Sequence, residues 1–126
     1  MTKRQYKAAL AVINKDCRLT GSMMEDCKHG CKNPATCAVG ALALAAAGGV
    51  LTVKQHKALV YSGGYTTMVF KPFISLIERK FGLGGEDLFD IIRANDSVDG
   101  DGKIIFKRRA AVRRELKSLA VHRHHL

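Results

Sequence analysis

The sequence predicts a mainly α-helical single domain, with five or six helices packed around a central alanine-rich helix. Apolar residues recur at helical spacing in several segments, and glycine or proline residues separate those segments. The segment 34–47 is almost entirely small and apolar, as expected for a helix that other helices surround. With 126 residues, of which 47% are hydrophobic, the chain can bury one ordinary core.

The central helix is predicted over residues 34–47. Asn33 can accept hydrogen bonds from the first amides of this helix, and Pro34 lacks the amide that would otherwise have no partner. Gly40 would let another backbone come close, and Gly48 can adopt the left-handed conformation that ends a helix. We therefore expect this helix to lie at the centre of the fold.

Four further signals predict helices outside the central one. The first segment has apolar residues at intervals of three and four. Thr52 and Gln55 form the pattern of a capping box, Pro72 fits a first helical turn, and two acids open a later segment. The predicted ranges are 2–15, 53–61, 71–81 and 86–94, and the β-branched segment 65–70 would suit a short strand as well as the approach to a helix.

The last helix is predicted over residues 105–121, followed by a frayed end at 122–126. At about 100° per residue, its apolar side chains share one narrow face and its basic side chains cover the rest. The apolar face carries Ile105, Val112, Leu116 and Leu119, and the candidate residues for binding nucleic acid or another polyanion are Lys107, Arg108, Arg109, Arg113, Arg114 and Lys117.

The charge of the chain is strongly positive and uneven. The formal net charge is +10, with a local balance of +7 over residues 103–126 and of −5 over residues 86–101. A field of this sign favours nucleic acid or an acidic protein surface as the partner. The chain has no tryptophan, and its tyrosines do not alternate with the basic residues of the last helix, so no stacking platform for single strands is visible.

The sequence predicts a cytoplasmic protein without a membrane helix. The longest apolar run, Ala41–Ala47, is far too short to span a bilayer, and the first residues lack the apolar core of a secretion signal. Cysteines in the cytoplasm are kept reduced, so a cysteine cluster there indicates metal binding or simple burial before disulfides.

All four cysteines lie in one stretch that also contains a histidine. These residues have the donor atoms of a tetrahedral zinc site, in which four of the five would be ligands. A loop of this length is uncommon unless something such as a metal organises it. The alternative is that Cys37 is a buried residue of the core helix and the others are ordinary thiols. The candidate zinc ligands are Cys17, Cys27, His29, Cys31 and Cys37.

Cys37 is also a candidate nucleophile, because the dipole of a helix favours a thiolate in its first turn. The required base would be His29 or His56, and Asn95 or Asp96 could orient it. The alternative is a cysteine packed in the core, as is common for this residue type.

The segment 97–108 resembles a calcium-binding EF-hand loop, with Asp99 and Asp101 in register. Ser97 stands at the first ligand position, and Arg108 stands where a bidentate glutamate is needed. Since the number of carboxylate ligands sets the affinity of such loops, we do not expect calcium to bind here.

Cys37-Ala-Val-Gly40-Ala-Leu, followed later by Asn95-Asp96, resembles a family of small helical proteins of unknown function from bacteria and phages. Members of that family combine a Cys-x-x-Gly-Ala-Leu helix with a late Asn-Asp pair. The resemblance implies a helical fold and no known activity. It also implies that Cys37, Gly40 and Asn95 serve packing and capping.

The function expected from these observations is that of a small, basic, non-enzymatic protein of phage type that binds nucleic acid or an acidic protein partner through its last helix. One alternative is a cysteine-dependent hydrolase or transferase that uses Cys37. Another is an inhibitor of a host or defence protein, which would act through surface shape.

Overall fold

Six α-helices account for most of the part of the chain that the structure, a computed structural model, describes, namely residues 1–15, 36–60, 67–96 and 104–126. The prediction of a mainly helical fold is confirmed. The helices are α1 (Lys3–Asn14), α2 (Ala38–Ala46), α3 (Val53–Val60), α4 (Thr67–Phe81), α5 (Gly85–Asp96) and α6 (Ile104–Ser118), and α6 continues into a π-helical turn (Leu119–Arg123).

The alanine-rich helix α2 lies at the centre of the packing, as predicted. It contacts α1, α4 and α5, and its residues from Ala38 to Ala43 are buried. Helix α6 packs on the outer side of α1 and α5. The largest fully buried side chains include Phe73, Phe81, Leu42 and Leu116, which join one apolar cluster.

Helix α2 begins later than the sequence predicts. Its first residue is Ala38, because Cys37 has an extended backbone with φ −73° and ψ 171°. The Ala38 amide donates to Asn95 Oδ1 at 3.1 Å, and the Gly40 amide donates to Cys37 Sγ at 3.3 Å. The start predicted at Pro34 is therefore wrong, because a side chain from α5 and the N-cap cysteine satisfy these first amides.

Other local signals agree with the structure. Gly48 has a φ of +78° directly after the end of α2. The predicted capping box at the start of α3 is complete. Thr52 N donates to Gln55 Oε1 at 2.9 Å, and Gln55 N donates to Thr52 Oγ1 at 3.1 Å. Thr2 and Gln5 form the same motif at the start of α1.

Helix α4 begins at Thr67, one turn before the predicted start. Residues 67–70 are thus helical. The prediction placed Pro72 in the first turn of this helix, whereas in the structure Pro72 lies beyond the first turn. The preference of β-branched residues for strands spans only about 1 kcal/mol and depends on context, so it did not decide this segment. None of the helices in the described ranges is long and apolar enough to cross a membrane.

Candidate nucleic-acid interface

The buried face of α6 is the one that the sequence predicts. Val112 and Leu116 are completely buried and Leu119 is 4% exposed, so this stripe fixes the rotation of α6 against α1 and α5. The basic side chains of α6 therefore fall into two groups, according to whether they flank this stripe or point away from it. The side chains of Ile105 and Lys107 lie outside the described part of the structure.

Two arginines flank the stripe, and we call Arg108 and Arg109 the inner arginines. Arg108 Nη1 donates to the backbone carbonyl of Asn95 at 2.7 Å and lies 3.8 Å from Asp96 Oδ1. Arg109 Nη2 donates to the carbonyl of Lys15 at 3.0 Å. The last carbonyls of a helix have no partner within it, so the inner arginines satisfy acceptors at the ends of α5 and α1. Their guanidinium groups join α6 to its neighbours.

Three cations point away from the stripe, and we call Arg113, Arg114 and Lys117 the outer cations. All three are exposed. Arg113 Nη1 donates to the uncharged side chain of Asn14 at 3.3 Å. Within the described ranges, none of the three forms an ion pair with a carboxylate. Their charge therefore remains available to an anion from outside.

Helix α1 extends this positive region. It contains no acidic residue, and four exposed cations lie on it or directly after it. Lys3 and Lys7 share a stripe with Asn14, at spacings of four and seven residues, and Asn14 contacts Arg113 of α6. We define the basic surface as the exposed cations of both helices, Lys3, Arg4, Lys7, Lys15, Arg113, Arg114 and Lys117.

Asp87 and Asp90 of α5 are paired with cations from the end of the chain. Arg123 donates to Asp87 at 2.6 Å and to Asp90 at 2.9 Å, and His124 Nε2 lies 2.9 Å from Asp87 Oδ2. The predicted frayed end is thus corrected for these two residues, because they tie the end of the chain to the first turns of α5. Arg123 ends the π-helical turn and His124 is its C-cap residue, so both lie beside Asp87.

The environment of Asp87 keeps its carboxylate ionised. Burial alone would raise the pKa of Asp87, but hydrogen bonds from Arg123, from the Gly84 amide and from His124 outweigh that effect. Its pKa therefore lies below the usual value of 3.8. The hydrogen bonds that Arg123 donates to Asp87 and Asp90 raise the pKa of Arg123. Asp87 is 3% exposed, so these pairs neutralise a buried charge.

Cys37 has the environment of a packing residue. It is 5% exposed, and burial raises the pKa of its thiol to about 11, so the thiol is protonated at neutral pH. These observations argue against a nucleophilic role. His56 is half-buried on α3, whereas His29 lies outside the described residues.

The candidate zinc ligands Cys17, Cys27, His29 and Cys31 also lie outside the described residues, so zinc binding stays a prediction. Within the described ranges, no three His, Cys, Asp or Glu side chains come together as a metal site. Most of the segment that resembles a calcium loop, residues 97–103, is likewise outside them. Its last position, Arg108, is described and donates to the Asn95 carbonyl.

Comparison of the chain with protein-family models, with curated proteins and with solved structures finds no match. The family resemblance therefore stays a prediction, although Cys37 and Asn95 do cap α2 and Gly40 is buried within it. Sequence reasoning did not include the cations of α1 in the candidate site. The signal that could have found them is the absence of any acid between Lys3 and Asn14.

Proposed function

We propose that this protein is a non-enzymatic, cytoplasmic nucleic-acid-binding protein that contacts phosphates through the basic surface. The observation that carries the proposal is the set of seven exposed cations on α1 and α6, none of which is ion-paired within the described ranges. Roughly half to two-thirds of protein–DNA hydrogen bonds go to phosphate and sugar, and Lys and Arg donate many of them; such contacts fix position without reading sequence.

Nucleic acid suits this surface better than an acidic protein does. The seven cations are spread along two neighbouring helices, and nucleic acid presents regularly spaced charge over a comparable length. The nearby acids Asp87, Asp90 and Asp96 already face Arg123 or Arg108, so they repel an approaching phosphate less than free carboxylates would. We therefore expect binding that is independent of sequence and strongly dependent on salt.

The test is a pair of double charge reversals with the same change in net charge. R114E/K117E alters the outer cations, whereas K54E/K57E alters two exposed lysines of α3, which packs on α4. Each pair lowers the net charge from +10 to +6, because one reversal removes two units. Binding to a fluorescent DNA strand and to its duplex is measured by anisotropy over a series of salt concentrations.

We expect R114E/K117E to weaken binding by at least about tenfold at low salt and to reduce the salt slope by about 2 for the duplex, since each phosphate contact contributes about 0.9. The control K54E/K57E should retain most of the wild-type slope. Equal losses in both variants would mean that only net charge matters. Absence of salt-dependent binding in the wild type would refute the proposal.

A further inference from the structure

Helix α5 carries an exposed aromatic side chain close to the basic surface. Phe89 is 51% exposed, whereas Phe73 and Phe81 are fully buried and Tyr6 is half-buried. A single exposed apolar side chain is common on protein surfaces, so the groups that surround Phe89 decide whether it has a role. We propose that Phe89 and Arg93 form a stacking site for a base of single-stranded nucleic acid. This inference rests on the proposed function and specifies the partner as a single strand.

The geometry of the Phe89–Arg93 pair suits stacking. The guanidinium carbon of Arg93 lies over the Phe89 ring, 5.2 Å from its centroid. Aromatic rings and arginine planes are the surfaces on which unpaired bases stack in proteins that bind single strands. A groove of about 400 Å³ lies beside this pair and is also lined by Ile92 and Asp96. Its volume is within the range that accepts small planar ligands.

The Phe89–Arg93 pair is continuous with the basic surface. Arg93 also lines a neighbouring groove of about 500 Å³ between α5 and α6. Arg114, one of the outer cations, lines the α6 side of that groove together with Glu115 and Ser118. A strand whose phosphates lie on the outer cations can therefore direct a base across this groove towards Phe89.

The aspartates that line the two grooves are paired with arginines of the same chain. Asp90 and Asp96, which line the two grooves, are paired with Arg123 at 2.9 Å and with Arg108 at 3.8 Å. Arg93 and Arg114 form no ion pair within the described ranges. Although Glu115 opposes them, both arginines therefore remain available to the phosphates next to a stacked base.

A single strand fits this arrangement better than a duplex does. The bases of a duplex are stacked on one another, and a side chain reaches only their edges in the grooves. Bases of a single strand are free to leave their stack and to lie on an aromatic ring. We therefore expect the protein to prefer a single strand over a duplex of equal length.

The test uses Phe89 as a spectroscopic probe. The chain has no tryptophan, so F89W introduces one indole whose fluorescence reports on this position alone. Titration of F89W with oligothymidylate should quench that fluorescence, and the duplex should quench it less. F89A should weaken oligothymidylate binding roughly tenfold with an unchanged salt slope, because stacking involves no counterion release.

V121A is the matched control, because Val121 is 43% exposed and lies on the π-helical turn. It should leave binding unchanged. If F89A binds like the wild type and F89W is not quenched, the stacking site is refuted while binding by the basic surface stands. If the wild type binds neither strand nor duplex, the proposed function itself fails. A wild-type dimer that F89A converts into a monomer would assign Phe89 to self-association and overturn the inference.

Discussion

The two sides of α6 differ in what their cations contact, although both are rich in arginine. On the side that faces α5 and α1, Arg108 and Arg109 donate to the backbone carbonyls of Asn95 and Lys15. On the side that faces outwards, the side chains of Arg114 and Lys117 are exposed and form no hydrogen bond or ion pair within the described ranges. The first side holds helices together, and the second is available to a partner.

The difference shows that a count of basic residues on a helix overstates the charge that a ligand can use. Arg108 and Arg109 flank the buried stripe, so their side chains reach the ends of neighbouring helices. Arg114 lies two positions after the buried Val112, and that rotation turns its side chain into solvent. Rotation about the helix axis thus decides whether an arginine contacts a neighbouring helix or faces solvent.

The largest expected loss of stability concerns Asn95, whose carbonyl accepts from Arg108 and whose side chain caps α2. Asn95 is 1% exposed, and its Oδ1 accepts from the Ala38 amide at the start of α2. N95A should lower the free energy of unfolding by about 1–3 kcal/mol, because it leaves a buried amide without its acceptor. Chemical denaturation followed by circular dichroism measures this loss.

N14A provides the matched control, since Asn14 is exposed at the end of α1. N14A should change the free energy of unfolding by no more than about 0.5 kcal/mol, as is usual for surface sites. N95A should leave DNA affinity nearly unchanged, because Asn95 is not part of the basic surface. If N95A is as stable as N14A, the cap that Asn95 provides for α2 does not stabilise the fold.

A smaller loss of stability is expected when Asp87 no longer pairs with the end of the chain. Because the pKa of Asp87 in the folded protein lies below its unfolded value of 3.8, the unfolded chain binds more protons at acid pH. Stabilisation by Asp87 is therefore complete above pH 3.8 and is lost as the pH falls through the lower, folded-state pKa. D87N should cost about 1 kcal/mol at pH 7 and remove this part of the acid dependence.

The matched substitution is D96N, because Asp96 is more exposed and its distance to Arg108 is 3.8 Å. D96N should change the free energy of unfolding little at either pH 7 or pH 3. Unfolding curves at pH 7 and at pH 3 compare the variants. An acid dependence in D87N equal to that of the wild type would show that the pairs with Arg123 and His124 do not stabilise the fold.

The parts of this molecule that follow from local sequence were predictable, and those that depend on distant contacts were not. The Thr52–Gln55 capping box and the buried stripe of α6 are set by residues only a few positions apart, and the structure confirms both. The cap that Asn95 provides for Ala38 joins residues 57 positions apart. A local pattern cannot show such a contact, and it therefore placed the start of the central helix at Pro34.

The candidate site shows the same limit. A helical projection identifies the outer cations, but it cannot tell that Arg108 reaches a carbonyl of α5. The π-helical turn changes the rotation of the residues after Ser118, so a regular helical pattern could not place Arg123 beside Asp87. The exposure of Phe89 depends on how α5 packs against α6, which its sequence alone did not indicate.

The most direct test measures both DNA affinity and stability for one arginine from each side of α6. R108Q should lower the free energy of unfolding by about 1–2 kcal/mol, because it removes a charged donor to the Asn95 carbonyl, and it should leave the salt slope of DNA binding nearly unchanged. R114Q should keep stability within about 0.5 kcal/mol of the wild type and reduce the duplex salt slope by about 0.9. If R108Q instead reduced the slope as much as R114Q while both stayed as stable as the wild type, the division of α6 into a structural and a binding side would be wrong.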